Sequence, residues 1–214
     1  IERPEDAPAG AAVVIRSHGV GPQVYDTLRA QGSPVIDATC PFVKRIHQIA
    51  AEVPEDGLLL LAGRREHPEV QGILGYCRGQ ALVFSSAEEM QELLAFLPSD
   101  GNIPVILAAQ TTFSLREWEK ILFFAKKVCT NCEIFDTICR ATEMRQEEAA
   151  FLSKSCDAMV VVGDARSSNT GRLAMICKEN CPKVVLVDHA DELDMTFFHG
   201  AATVGITAGA STPP

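Results

Sequence analysis

Two segments of the chain end in the same short motif, an aspartate followed three residues later by a cysteine. Residues 34–40 read PVIDATC and residues 133–139 read EIFDTIC. A β-branched run precedes each motif and a helical pattern follows it, which predicts Cys40 and Cys139 between a strand and a helix N-terminus. Helix N-termini favour the thiolate form of cysteine, which is the form that binds metals. Two such thiols meeting in one cleft would suit a soft metal or an iron–sulfur cluster. An isolated cysteine is more often a small buried core residue.

The elements around these motifs alternate between strand-length apolar runs and amphipathic helical patterns. This alternation predicts an α/β fold of parallel sheets with crossover helices, and the recurrence of the motif favours repeated small domains over one large sheet. The predicted strands are residues 11–15, 34–39, 58–63, 81–86, 103–109, 133–137, 157–164, 183–188 and 202–208. The predicted helices are residues 24–31, 43–53, 88–96, 115–128, 142–153 and 172–180.

The amino-acid composition limits the classes of function that the chain can have. The formal net charge of −9 argues against a nucleic-acid-binding surface. No apolar run has the length needed to cross a bilayer, and no signal-peptide pattern is present. The eight cysteines are therefore expected as reduced thiols in a cytoplasmic protein rather than as disulfides.

Polar side chains follow most of the predicted strands. The carboxyl ends of parallel strands face the ligand crevice of an α/β sheet, and short hydroxyls and amides at helix starts suit a phosphate group. Helix capping explains residues 167–169 equally well when they are taken alone. Glu69 follows a His-Pro pair and could supply a proton, although a solvated glutamate is the more ordinary interpretation. The candidate residues are His18, His67, Glu69, Thr111, Ser167, Ser168, Asn169 and Ser211.

The remaining cysteines and histidines are expected to be structural or incidental. Cys129 and Cys132 form a Cys-x-x-Cys motif, but it precedes a predicted strand and lacks the second ligand pair of a zinc site. We interpret the other residues of these two types in the same way, namely Cys77, Cys156, Cys177, Cys181, His47, His189 and His199.

Taken together, the strand-end segments resemble the family of 4-hydroxy-3-methylbut-2-enyl diphosphate reductases (the IspH/LytB family). The matching pieces are SHGV, DATCP, HPEVQG, AQTT, FDTIC-x-AT, SSNT-x-RL and TAGAST, in the family's order and over essentially the whole chain. The resemblance implies three similar α/β domains around a central 4Fe-4S cluster. It also implies reductive dehydroxylation of the substrate to isopentenyl and dimethylallyl diphosphate, the last step of the non-mevalonate isoprenoid route, with electrons from a ferredoxin- or flavodoxin-type donor.

The resemblance also implies a role for each candidate residue. Cys40 and Cys139 would be cluster ligands, Glu69 the proton donor, and Thr111 a neighbour of the substrate hydroxyl. The diphosphate would be held by the remaining candidates, His18, His67, Ser167, Ser168, Asn169 and Ser211.

The family's third cluster cysteine lies in a Gly-Phe-Cys-Ala-Gly segment, and a further phosphate-binding histidine lies in a Val-Val-His-Asn segment. Neither segment occurs in this sequence. We therefore expect residues 1–40 to be the C-terminal part of a first domain, residues 41–137 a second domain, and residues 138–214 a third domain without its C-terminal end. On this interpretation the sequence lacks the N-terminal segment, and alone it would hold a labile cluster at best and show no reductase activity.

Two other functions remain open from the sequence. A quinolinate-synthase-like dehydratase also joins three α/β units around one cluster, with one cysteine from each unit. A phosphosugar-type binding domain would use the same anion donors without catalysis, with both cysteines in the core.

Overall fold

The computed structural model describes residues 3–95, 103–129, 131–210 and 212. The chain divides into two compact units, residues 1–137 and 138–214. In the described residues the strands form three sheets, and every strand pair is parallel. The predicted α/β fold of repeated small parallel sheets is confirmed, whereas the division of the first unit at residue 40 stays a prediction. None of the helices in this part of the chain has the length and apolarity needed to cross a membrane.

The first unit begins with a two-stranded sheet. Strand β1 (Val13–Ile15) pairs with β2 (Val35–Asp37), and helix α1 (Pro22–Ala30) connects them. Ile15 and Leu28 are buried between this helix and the sheet, so the pair of strands has a small core of its own.

The larger sheet of the first unit has the strand order β4-β3-β5-β6. Its strands are β3 (Leu58–Ala62), β4 (Gln80–Phe84), β5 (Val105–Ala109) and β6 (Cys132–Ile134), and its helices are α2 (Pro41–Glu52), α3 (Pro68–Tyr76), α4 (Ala87–Ala95) and α5 (Leu115–Val128). All residues of β3 and β5 are buried, as expected for central strands covered on both faces. Both strands therefore deliver their carboxyl ends to the same edge of the sheet.

The second unit repeats this arrangement with three strands in the order β8-β7-β9. Its strands are β7 (Ala158–Val162), β8 (Val184–Val187) and β9 (Val204–Ala208), and its helices are α6 (Arg140–Ser155) and α7 (Ser168–Asn180). The two helices pack over β7, and Met159, Val161 and Leu173 form the buried core.

All nine predicted strands are present, but the strand before the second Asp-x-x-Cys motif is shorter than predicted. It ends at Ile134, so Asp136 and Thr137 lie beyond it. The Thr137 hydroxyl takes over the pairing, since it accepts from the Ala109 N–H at 2.8 Å and donates to the Ala109 carbonyl at 2.6 Å. A side chain thus anchors the end of this segment to β5.

The central position of β3 makes its side chains the most sensitive to truncation. Leu60 is completely buried between β4 and β5. We expect Leu60→Ala to lower the free energy of unfolding by about 2–5 kcal/mol, because transfer energy is lost and a cavity remains. Val128→Ala, at the exposed end of α5, is the control and should change it by less than about 0.5 kcal/mol. Chemical denaturation measures both, and equal effects would contradict the burial described for β3.

Candidate functional site

Four of the predicted site residues occupy the same position, the N-cap of a helix that follows a strand end. Cys40, His67, Cys139 and Ser167 precede α2, α3, α6 and α7 in that order. His67 and Ser167 accept a hydrogen bond from their own helix, whereas the side chains of Cys40 and Cys139 make no capping bond. The two thiols are therefore not used to satisfy their helices.

The most buried ionisable group of the first unit is the Glu69 carboxyl, at 1% exposure. The Thr111 backbone N–H donates to Glu69 Oε1 at 2.7 Å, and the Thr111 hydroxyl donates to Oε2 at 2.8 Å. Glu69 lies in the first turn of α3, and Thr111 follows β5. The pair therefore joins two strand-end loops that are 42 residues apart in sequence.

Burial raises the pKa of Glu69, and the two hydrogen bonds from Thr111 only partly oppose this effect. A carboxyl group deprived of water is easier to keep protonated, which is the state required of a general acid. The alternative of a solvated glutamate is therefore wrong.

Two histidines lie next to this pair. The Glu69 backbone N–H donates to His67 Nδ1 at 3.2 Å, and the His18 and His67 rings meet edge to face with centroids 5.4 Å apart. Burial lowers the pKa of His67 to about 4, helped by the nearby His18 and Arg64, and burial with Arg16 lowers the pKa of His18. His18, His67, Glu69 and Thr111 are thus brought together in one unit.

The loop that carries Cys40 is fixed by Asp37 of the same motif. Asp37 accepts from the Thr39 N–H at 3.0 Å and pairs with Lys44 at 2.7 Å. Burial alone would raise the pKa of Asp37, but the hydrogen bonds from Lys44 and Thr39 outweigh it and lower the pKa to about 2. The Cys40 N–H also donates to the Ser17 carbonyl at 3.0 Å, which ties this loop to the one that carries His18.

A buried histidine supports the same loops from behind. Gly19 has a φ of +67°, and a Cβ at this position would overlap the His47 ring. The ring also stacks on Tyr76, with centroids 4.4 Å apart. His47 is therefore structural, as predicted, and Gly19 can be replaced only at the cost of moving the turn after His18. This packing could not be predicted from the sequence, since His47 lies far from Gly19 along the chain.

A cavity of about 410 Å³ lies beside α1 and α2. Its lining includes Tyr25, Asp37, Lys44, His47 and Tyr76, and none of the predicted site residues. The cavity is thus separate from the cluster formed by His18, His67, Glu69 and Thr111.

In the second unit, the predicted phosphate-binding residues begin α7. Ser167 Oγ accepts from the Thr170 N–H at 3.4 Å, which confirms a capping role for Ser167. Asn169 is 4% exposed, and both polar atoms of its amide lack a partner within the described part of the chain. Buried amides are rarely left without hydrogen bonds, so this side chain fits a polar ligand. Ser211 lies outside the described residues.

Close packing fixes the loops on both sides of this helix start. Gly163 has a φ of +133°, and a Cβ on it would overlap the Thr212 hydroxyl, whereas a Cβ on Gly209 would overlap the Thr170 hydroxyl. The Thr212 hydroxyl donates to the Val162 carbonyl at 3.1 Å. Thr170 is a positioning residue that sequence reasoning missed, because its close contact with Gly209 joins segments that are distant in sequence.

The two predicted cluster cysteines lie in different units, Cys40 in the first and Cys139 in the second. Both thiols are free and half-buried. Within the ranges that the structure describes, no three His, Cys, Asp or Glu side chains form a group that could hold a metal ion. The meeting of Cys40 and Cys139 at one cluster stays a prediction.

The described sheets are parallel, and polar groups follow the carboxyl ends of their strands: a buried acid, two histidines and two N-cap thiols. These features define an α/β protein whose candidate site residues lie at strand ends. The chain matches the model of the LytB protein family over residues 1–214. It therefore belongs to the LytB family.

Relatives of known name agree with this assignment. The chain is 40% identical over 205 residues to a protein named 4-hydroxy-3-methylbut-2-enyl diphosphate reductase from Caldanaerobacter subterraneus subsp. tengcongensis, covering 95% of this chain and 69% of the relative. It is 39% identical over 213 residues to a protein of the same name from Helicobacter pylori strain Shi470. This match covers 99% of this chain and 76% of the relative.

Solved structures show the same fold. The chain aligns with the E-1-hydroxy-2-methyl-but-2-enyl-4-diphosphate reductase from Plasmodium falciparum with a TM-score of 0.90 and 27% identity, covering 100% of this chain and 67% of the other. It aligns with a second structure, titled as (E)-4-hydroxy-3-methyl-but-2-enyl diphosphate reductase, the terminal enzyme of the non-mevalonate pathway. For this alignment the TM-score is 0.61 and the sequence identity is 37%, and the alignment covers 98% of this chain and 74% of the other.

The lowered pKa of His67 predicts a loss of stability in acid. The folded protein keeps this ring neutral down to about pH 4, whereas the unfolded chain takes up a proton near the ordinary value of 6.5. Its contribution to stability is therefore complete above pH 6.5 and is lost as the pH falls towards 4. In His67→Asn, the amide can still cap α3 but does not titrate. We expect this variant to lose less stability across that range, in unfolding curves measured at several pH values.

The control for this prediction is His189→Asn, at an exposed histidine of the second unit. It should keep the acid dependence of the parent protein. Equal acid sensitivity in His67→Asn and the parent would show that the His67 ring is not held neutral by the fold.

Proposed function

We propose that the protein is a 4-hydroxy-3-methylbut-2-enyl diphosphate reductase. It removes the allylic hydroxyl of its substrate and yields isopentenyl and dimethylallyl diphosphate, the last step of the non-mevalonate isoprenoid route. The observation that carries the proposal is the buried Glu69–Thr111 pair beside His18 and His67, in a chain that matches the LytB family throughout.

The proton in this reaction would come from Glu69. The reaction replaces a carbon–oxygen bond with a carbon–hydrogen bond and releases water, so it consumes an electron pair, one proton on carbon and one on the departing oxygen. A protonated Glu69 can donate to the Thr111 hydroxyl at 2.8 Å, whose own hydrogen is then free to point towards the substrate hydroxyl. The buried pair can thus hold and pass a proton.

The proposed diphosphate-binding residues are anion donors, and each unit carries its own group of them. His18 and His67 supply ring nitrogens, and His18 Nδ1 is buried without a partner in the described residues. Asn169 supplies a buried amide, and the start of α7 adds backbone N–H groups and the Ser168 hydroxyl. Ser167 is partly committed to capping, and Ser211 completes the proposed set.

A 4Fe-4S cluster fits the thiols that are present. Cys40 and Cys139 are half-buried at helix N-caps and are not used for capping, and thiolates are the usual ligands of such clusters. When bound, the cluster would supply single electrons and a Lewis-acidic iron for the hydroxyl. A ferredoxin- or flavodoxin-type protein is the proposed electron donor.

The family match over the whole chain favours the reductase over the two alternatives. A dehydratase of the quinolinate-synthase type would release water without consuming electrons. A binding protein would bind the allylic diphosphate and return it unchanged. Product analysis with isotope-labelled substrate and a chemical reductant distinguishes all three.

Replacing the proposed proton donor should separate binding from turnover. Glu69→Gln keeps the shape of the side chain and its hydrogen bonds with Thr111 but has no transferable proton. We expect substrate binding to remain within about threefold of the parent value, while turnover by the reconstituted full-length enzyme falls by about 10²–10⁴-fold. Calorimetry measures the first quantity, and a product assay under anaerobic conditions measures the second.

Glu66→Gln is the matched control, since Glu66 is an exposed carboxylate of the same loop. It should leave both quantities unchanged. Turnover near the parent value in Glu69→Gln would remove Glu69 from the mechanism.

Cysteines at helix N-caps and cysteines at helix C-caps should differ in their effect on iron binding. We expect Cys40→Ser and Cys139→Ser each to remove most of the visible absorption and bound iron obtained by anaerobic reconstitution, because a thiolate ligand is lost. Cys77→Ser and Cys156→Ser, at the C-caps of α3 and α6, should retain the parent amounts. Equal iron content in all four variants would contradict the proposed ligands.

A further inference from the structure

The Cys129–Cys132 segment has no part in the proposed reaction. Cys129 directly follows α5, which ends at Val128, and Cys132 is the first residue of β6. Both cysteines are half-buried, so small reagents can reach them.

The two thiols of this segment lie close enough to interact. The Cys132 thiol donates to the Glu133 carbonyl at 3.8 Å, and its interaction with the Cys129 sulfur lowers the pKa of Cys129 to about 7. The same interaction and burial raise the pKa of Cys132. One sulfur is therefore available as a thiolate near neutral pH, and the other lies beside it as a thiol. This division of roles is the one that disulfide exchange requires.

The backbone holds both cysteines in place. The Cys129 N–H donates to the Ala125 carbonyl at 2.9 Å and closes the last turn of α5. Cys132 lies opposite Val105 in the sheet, and the Asn131 amide donates to the Ile103 carbonyl at 2.7 Å. The two cysteines are thus anchored by two ordered elements, Cys129 by the last turn of α5 and Cys132 by the sheet.

The other cysteines lack one or more of these properties. Burial raises the pKa of Cys77, and burial also raises the pKa of Cys177 to about 11. Cys177 and Cys181 are both buried, and the Cys181 thiol donates to backbone carbonyls. A reactive thiolate, a neighbouring thiol and access from solvent coincide at Cys129 and Cys132.

We propose that Cys129 and Cys132 form a reversible dithiol–disulfide site that exchanges with low-molecular-weight disulfides of the glutathione class. The Cys129 thiolate attacks one sulfur of the small disulfide, forms a mixed disulfide and releases one small thiolate. Cys132 then loses its proton to solvent and attacks the Cys129 sulfur, which releases the second small thiolate. The two protein thiols are oxidised, and the small disulfide is reduced to two thiols.

The lowered pKa of Cys129 favours the first step, because more of this thiol is ionised near neutral pH than of an ordinary cysteine. Burial raises the pKa of Cys77. Cys129 should therefore react faster than Cys77.

A single tryptic peptide reports the outcome. Cleavage after Lys127 and Arg140 releases residues 128–140, which contain Cys129, Cys132 and Cys139. The protein is treated with oxidised glutathione at pH 7, quenched with acid, alkylated and analysed by mass spectrometry. We expect an internal disulfide between Cys129 and Cys132 with Cys139 alkylated, and its full reversal by excess reduced glutathione.

Variants identify the order of attack. In Cys132→Ser no resolving thiol remains, so a glutathione adduct should accumulate on Cys129. Cys77→Ser is the control and should form the internal disulfide at the parent rate. The proposal is overturned if the parent protein accumulates only glutathione adducts, if the disulfide joins Cys139, or if Cys129 reacts no faster than Cys77.

Discussion

The site depends on one carboxyl group that is almost completely removed from water. Desolvation makes the charged form of Glu69 unfavourable. The two hydrogen bonds from Thr111 stabilise the carboxylate but do not cancel the effect of desolvation. The same bonds join the start of α3 to the end of β5. The group that would supply the proton is therefore also the group that links the two segments.

The second recurring constraint is the junction of strand and helix. Cys40, His67, Cys139 and Ser167 all occupy helix N-caps, where backbone N–H groups point outwards. A histidine or serine at this position can accept a hydrogen bond from its own helix. A cysteine here makes no such bond, so its thiol remains available to another group. One backbone geometry, repeated in both units, thus presents anion donors at some junctions and thiols at others. Short motifs far apart in sequence therefore carry chemically similar groups at equivalent positions.

The strands and helices could be predicted from the sequence, but the contacts between them could not. The run of residues 58–62 predicts a buried strand because apolar side chains occupy every position, and β3 is that strand. The early end of β6 was not predicted, since the Thr137 hydroxyl replaces backbone pairing through a contact with Ala109. The interaction between Cys129 and Cys132, two residues interpreted as incidental, likewise depends on where α5 and β6 meet. Local patterns determine local structure, but such pairings require the folded chain.

The most direct test of this account is the titration of Glu69 itself. The carboxyl carbon of isotopically labelled glutamate can be followed by NMR as a function of pH, with the Glu69 signal assigned by its absence in Glu69→Gln. We predict a midpoint clearly above the ordinary value of 4.5, and a further rise in Thr111→Val, where the hydroxyl that stabilises the carboxylate is removed. A Glu69 midpoint at or below 4.5 would show that the carboxyl is hydrated, and the proposed proton donor would then have no physical basis.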